Sequence, residues 1–332
     1  MKLVPRVLLC MTLALVGLSF PAHIAAAQSA DVAAASEKVI IDTDIGDDID
    51  DAFAIALALS SQRVQVLGIT TAFGDTALRA RLAERFLMET GHGSIPVYAG
   101  PATKATNIFS QRRYAEQFPS RNWPDAVSFI EDQIREAPGK ITLICIAPLS
   151  NVGALMERDP ATFRKLKRVV MMGGSIHRGY DDLGYLPDRG PSAEWNIAQD
   201  IPAAKSLFSS GVPIYMMPLD STQLKLDEVM RDQLFSQGTR VTDNLALLYQ
   251  QWTNATSNPT PTLFDAMAVA YVLDPSLCPT TPMHIQVDDE GFTRETPGAV
   301  NANVCLHSDA DMFFHFYFHA VLNSGKERLS KP

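Results

Sequence analysis

The chain has 332 residues, of which 46% are hydrophobic and 20% charged, with 28 Lys and Arg against 37 Asp and Glu. These proportions exclude collagen-like, coiled-coil and disordered classes. The acidic balance argues against nucleic-acid and anionic-membrane partners, since both require a basic surface.

The first 27 residues read as a targeting segment. Lys2 and Arg6 precede an apolar run from Val7 to Phe20, and Ala25, Ala26 and Ala27 offer small residues for cleavage. This is the pattern of a secretory signal peptide. A membrane anchor is the alternative, but the run is shorter than the roughly 20 residues that span a bilayer. The expectation is therefore a signal over 1–27, a single mature domain over 28–332, a secreted or periplasmic location, and no membrane attachment after cleavage. Lys2 and Arg6 leave with the signal, so the net charge of −9 becomes −11.

Short β-branched runs then alternate with helical patterns. Strands are expected at 38–43, 64–71, 95–100, 140–147, 168–172 and 212–219. They are continuously apolar, as in a parallel sheet covered on both faces. Helices are expected at 52–60, 76–90, 123–137, 151–158 and 202–209. The repeated β-α units imply right-handed crossovers and a doubly wound α/β fold with a mostly parallel sheet. Such sheets carry their chemistry in the loops at the carboxyl ends of the strands. Three cysteines remain after cleavage: Cys145 belongs in the core, while Cys278 and Cys305 could pair in an oxidising compartment.

The loop after the first strand holds Asp42, Asp44, Asp47, Asp48, Asp50 and Asp51, six carboxylates in ten residues. So dense a cluster repels itself unless a cation neutralises it. Hard oxygen ligands select Ca²⁺ or Mg²⁺. Helix capping by Asp50 or Asp51 is the simpler alternative and accounts for two of the six.

The motif set resembles the nucleoside hydrolase family, the inosine-uridine-preferring nucleoside N-ribohydrolases. Asp42, Asp44, Gly46 and Asp50-Asp51-Ala52 match the family's opening pattern. ITTAFGD at 69–75, APLSN at 147–151, VVMMGG at 169–174, AEWN at 193–196, PLD at 218–220 and LFDAMAVAYVLDP at 263–275 follow in order. The resemblance implies hydrolysis of the N-glycosidic bond of a small-molecule ribonucleoside, a bound Ca²⁺, and assembly as a homo-oligomer, dimer or tetramer. It implies Asp44, Asp51, the carbonyl of Ser150 and Asp265 as metal ligands, with Asp44 also the base toward water. Asp50, Met172, Glu194 and Asn196 would hold the ribose.

The residue types suit that chemistry in their own right. Positive charge develops on the sugar as the bond breaks, so a pocket of carboxylates stabilises the transition state more than the ground state.

Three features depart from the family pattern. The acidic loop is two residues longer than the common form, which leaves Asp48 as the alternative to Asp50. Asp75 stands where Asn is usual and either binds substrate or caps a helix. Phe264 replaces the His that serves as acid to the leaving base; it would instead stack on a purine or pack the core, and a purine preference is expected from the first. His177 opens a long polar insertion and is expected in solvent, Tyr249 and Trp252 are expected in the core, and His307, His315 and His319 at packing or oligomer contacts. Two other classes compete. A phosphatase would use Asp42 as nucleophile, and a calcium-dependent nucleoside- or sugar-binding protein would have lost catalysis.

Overall fold

In this computed structural model the described residues are 36–105, 107–182 and 189–329. The expected signal segment lies outside them. Among the described residues ten strands occur: β1 (Glu37–Thr43), β2 (Val64–Thr71), β3 (Val97–Ala99), β4 (Ile141–Ile146), β5 (Arg168–Met172), β6 (Ile214–Met217), β7 (Thr281–Met283), β8 (Ile285–Val287), β9 (Thr293–Glu295) and β10 (Ala302–Val304). Eight form one sheet in the order β3-β2-β1-β4-β5-β6-β10-β7, parallel except for β7, which runs antiparallel to β10. The remaining two, β8 and β9, form an antiparallel hairpin.

The expected fold class is present, and its apolar strands have the expected cause. Val39 and Ile41 of β1 face one buried cluster while Ile40 faces another. Ile144 and Ile146 of β4 likewise oppose Leu143 and Cys145. Alternate side chains point to opposite faces, and helices cover both, so every position along these strands is apolar.

The chain winds outward from β1 through β2 to β3, then returns to β4 on the other flank of β1 and winds outward again. The reversal between β1 and β4 opens a crevice at their carboxyl ends, where doubly wound sheets bind ligands. Two helices buried along their whole length, Asp50–Leu59 and Ala266–Leu273, pack in the same core layer. Their amino ends meet at this crevice, so two helix dipoles direct positive potential into it.

The three-residue strands β7 to β10 were not anticipated. Cys278 and Cys305, both fully buried, form a disulfide that fastens the segment before β7 to the end of β10. Among the described residues no helix is long and apolar enough to cross a membrane.

Candidate active site

β1 delivers its acidic loop directly into the crevice. Its last residue, Thr43, hydrogen-bonds Asp51 through the side-chain hydroxyl and accepts the Ile45 N–H at 3.1 Å. The loop therefore folds back over the strand end, and Asp50 and Asp51 become the first residues of the helix Asp50–Leu59. Ile49 precedes that helix without a side-chain cap. Neither carboxylate is used as a cap, which removes the capping alternative.

Asp50, Asp51 and Asp265 have carboxylate oxygens within 4.8 Å of one another, and all three are buried. The Asp265 N–H donates to Asp50 Oδ2 at 3.3 Å. Burial first, and mutual repulsion next, push all three well above the ordinary carboxylate range. Asp44 is pushed up to about 7 by burial, with Asp47 and Glu194 adding to the rise and Arg79 opposing it. Carboxylates that must take up protons to remain buried are a donor set that a hard divalent cation satisfies, because it replaces the protons with charge. The residues present thus fit a metal ion.

A cavity of about 400 Å³ stands over the cluster, within the range of small-molecule sites. Asp44, Asp48, Asp50, Asp51 and Asp265 line it on the acidic side, together with Ile146. Met172, Glu194 and Asn196 line another part. Glu194 caps the short helix Trp195–Ala198, accepting N–H bonds from Asn196 and Gly174, each at 2.9 Å, and from Ile197 at 3.2 Å. Burial nevertheless raises its carboxyl to about 7. Asn196 Nδ2 donates to the Met172 carbonyl at 3.2 Å, which leaves the Asn196 side-chain oxygen outside that bond.

The rest of the wall is aromatic. Phe264, only partly buried, meets Tyr180 edge to face with ring centroids 6.1 Å apart. Trp252 and Trp195 also line the cavity, and Asp47, Asn107, Ile108 and Thr256 complete the rim. Phe264 therefore borders the cavity while also packing against the core cluster beneath it. Trp252 is only 4% exposed yet contributes to the wall, and its indole N–H donates to Asp48.

The site residues expected from sequence thus converge, with two exceptions. Ser150 is the first residue of the helix Ser150–Arg158 and does not line the cavity; Ile146, four residues earlier, does. The strand ends at Ile146, and the turn Ala147–Leu149 carries Ser150 past the crevice. Asp75 caps the helix Thr76–Glu89 by accepting the Leu78 N–H at 3.0 Å and opens on a neighbouring pocket of about 250 Å³. Asp75 does not line the larger cavity.

Tyr180, Trp195, Asn107 and Ile108 were missed. Tyr180 lies in the polar insertion, whose stem is tied down by Asp220: its carboxylate accepts the N–H groups of Ile176 and His177 at 2.8 Å. His177 itself is exposed, as expected; part of the insertion, 183–188, lies outside the described residues. Asp42, proposed nucleophile of the phosphatase alternative, is fully buried, accepts from Thr70 and Asn151 at 2.6 Å each, and does not line the cavity. Nucleophilic attack by Asp42 is excluded on access alone.

The model of the inosine-uridine-preferring nucleoside hydrolases matches residues 39–315. An uncharacterized protein of Schizosaccharomyces pombe is 38% identical over 200 residues, covering 56% of this chain and 62% of that protein. The pyrimidine-specific ribonucleoside hydrolase RihB of Escherichia coli strain SE11 is 31% identical over 278 residues, 76% of this chain and 83% of that enzyme. Among solved structures, a plant nucleoside hydrolase, PpNRh1, superposes with a TM-score of 0.73 at 24% identity, covering 86% of this chain and 99% of that one. The purine-preferring ribonucleoside hydrolase of Gardnerella vaginalis also gives 0.73 at 24% identity, covering 88% and 100%. The chain with this buried acidic crevice belongs to the inosine-uridine-preferring nucleoside hydrolase family, enzymes that cleave N-glycosidic bonds.

Proposed function

We propose that the protein is an exported, calcium-dependent hydrolase of ribonucleosides that favours purine bases. The observation that carries this reading is the convergence of three buried carboxylates, Asp50, Asp51 and Asp265, beneath a cavity with an aromatic wall.

Asp44, Asp51 and Asp265 hold the ion, with the backbone at Ile146 taking the main-chain position first expected at Ser150. When bound, calcium supplies an acidified water and chelation of vicinal hydroxyls, which selects ribose over deoxyribose. Asp44 accepts the proton of the attacking water. Asp50, Glu194 and Asn196 bind ribose hydroxyls and hold the sugar in line. The negative charge of Asp50 and Glu194 also favours the oxocarbenium-like state as the base departs.

The purine preference rests on the wall. Phe264 cannot donate a proton. Stacking between Phe264, Tyr180 and Trp252 rewards the larger bicyclic base through buried area and ring contact. Export is supported by the disulfide, since such bonds persist in oxidising compartments.

The test is a reducing-sugar assay with inosine, guanosine, adenosine, uridine and cytidine. The reading expects ribose release, with higher kcat/KM for the purine nucleosides. Higher kcat/KM for uridine and cytidine would overturn the base preference. Calcium-dependent binding of nucleosides with no ribose release would favour the non-catalytic binding protein.

A further inference from the structure

We propose that Arg79 is a positioning residue that clamps the elongated acidic loop and sets the geometry of Asp44. The inference deepens the hydrolase reading and rests on it for the role of Asp44. Arg79 lies on the helix Thr76–Glu89 at 1% exposure, among the largest fully buried side chains in the molecule. A buried guanidinium must find an acceptor for each of its donors.

Its acceptors lie in two loops. Nε donates to the Phe73 carbonyl at 2.7 Å, at the end of the β2 loop. Nη1 donates to the carbonyls of Asp44 and, at 3.2 Å, Ile45. Nη2 donates to Asp47 Oδ2 at 2.5 Å, the ion pair that offsets part of the cluster's charge. One planar fork thus fixes the backbone on either side of the Asp44–Ile45 peptide. The catalytic carboxylate is held from behind, by a residue that does not touch the cavity.

The segment 107–111 closes the clamp from the other side. Asn107 Nδ2 donates to Asp47, Ser110 Oγ to the Asp47 carbonyl at 2.7 Å, and Gln111 Nε2 to the Asp48 carbonyl at 2.5 Å. The Phe109 ring lies under Gly46, where a Cβ would fall 2.2 Å from Cζ, and Arg79 stands 5.4 Å from that ring's centre. A loop two residues longer than the family's common form would otherwise have more freedom, and Asp47 belongs to that longer loop. Asn107 and Ile108 also line the cavity, so the same clamp joins its rim to its acidic floor.

Lys cannot substitute for this fork, being a point charge on a flexible stem. The test uses Arg79→Lys and Arg79→Ala in the full mature enzyme. Calcium alone is titrated calorimetrically into chelator-stripped protein, and kcat and KM are measured at saturating calcium. Partners that orient a metal site typically change affinity or activity by about 10- to 100-fold. We expect calcium affinity and kcat each to fall by about 10-fold or more in folded Arg79→Lys, with KM for the nucleoside within about 3-fold. The pocket of about 250 Å³ reaches Arg79, so guanidinium added at millimolar concentration should restore kcat in Arg79→Ala while ammonium does not. A folded Arg79→Lys enzyme with unchanged calcium affinity and kcat would overturn the proposal. Arg79→Lys carries the test if Arg79→Ala fails to fold. Absence of ribose release by wild-type enzyme would sink the hydrolase reading, whereas the calcium titration would still report on Arg79.

Discussion

Chelating the metal should make stability fall as the pH rises, opposite to the usual acid denaturation of a protein with ion-paired surface carboxylates. Burial raises Glu194 from its ordinary 4.5 to about 7 and Asp44 from 3.8 to about 7. A group with a raised folded-state value binds its proton more tightly when folded. Its contribution is therefore complete below the unfolded value and is lost as the pH climbs through the folded one. The window runs from about pH 4 to above 7. For Glu194 alone the loss is about 3 kcal/mol at about 1.4 kcal/mol per pH unit. Asp44 acts in the same direction, with the Glu194 charge adding to its rise, so the two losses do not simply add. The carboxyls held low, such as Asp159 at about 2, act with the opposite sign but below this window.

At about 2 °C per kcal/mol for a domain of this size, Tm should drop by at least about 6 °C between pH 5 and pH 8 in EDTA. Saturating calcium should reduce the drop by the share of its own ligands, such as Asp44, whose protons the bound charge replaces, and binding at 1,000 times Kd adds about 4 kcal/mol. Differential scanning fluorimetry across that range, with EDTA or calcium, reads both. A stripped protein whose Tm is flat or rises from pH 5 to pH 8 would refute the claim that these carboxylates are buried without compensation.

Four further outcomes are expected. Asp75→Ala removes a helix cap and should cost about 1 kcal/mol in denaturant unfolding while leaving kcat/KM within about 2-fold; a large loss of activity would return Asp75 to the substrate site. Phe264→Ala should lower kcat/KM for inosine by about 2- to 12-fold, matching the roughly 0.5–1.5 kcal/mol of a ring–ring contact, and lower that for uridine less. Reducing Cys278–Cys305, 27 residues apart, should cost about 3 kcal/mol, read as a lower Tm in dithiothreitol. The buried thiol of Cys145 should stay unmodified until the protein unfolds.

The long strands and the acidic loop were legible because each obeys a local rule. Strands covered on both faces read as continuous apolar runs, and β1, β2, β4 and β5 fall within a residue of their expected bounds. The strands β7 to β10 were invisible because three residues carry no period; partners on the sheet edge and the disulfide define them. The polar motif APLSN drew the reading to Ser150, whereas Ile146, whose apolar side chain gives no sign of it in the sequence, lines the cavity. Trp252 belongs to both core and wall, which a sequence pattern cannot separate. Tyr180 reaches Phe264 from a loop that only tertiary contacts place. Arg79 did leave a signal: it interrupts the apolar stripe of Leu82, Ala83 and Phe86 on its helix, and a charge in such a stripe needs a buried partner.

The most direct test of the central claim is ribose release by the purified mature protein, measured with calcium, after EDTA, after calcium is restored, and in Asp44→Ala. The account predicts release that EDTA abolishes and calcium restores, and a loss of at least about 1,000-fold in folded Asp44→Ala. Release unaffected by EDTA, or a folded Asp44→Ala enzyme with wild-type kcat, would contradict it.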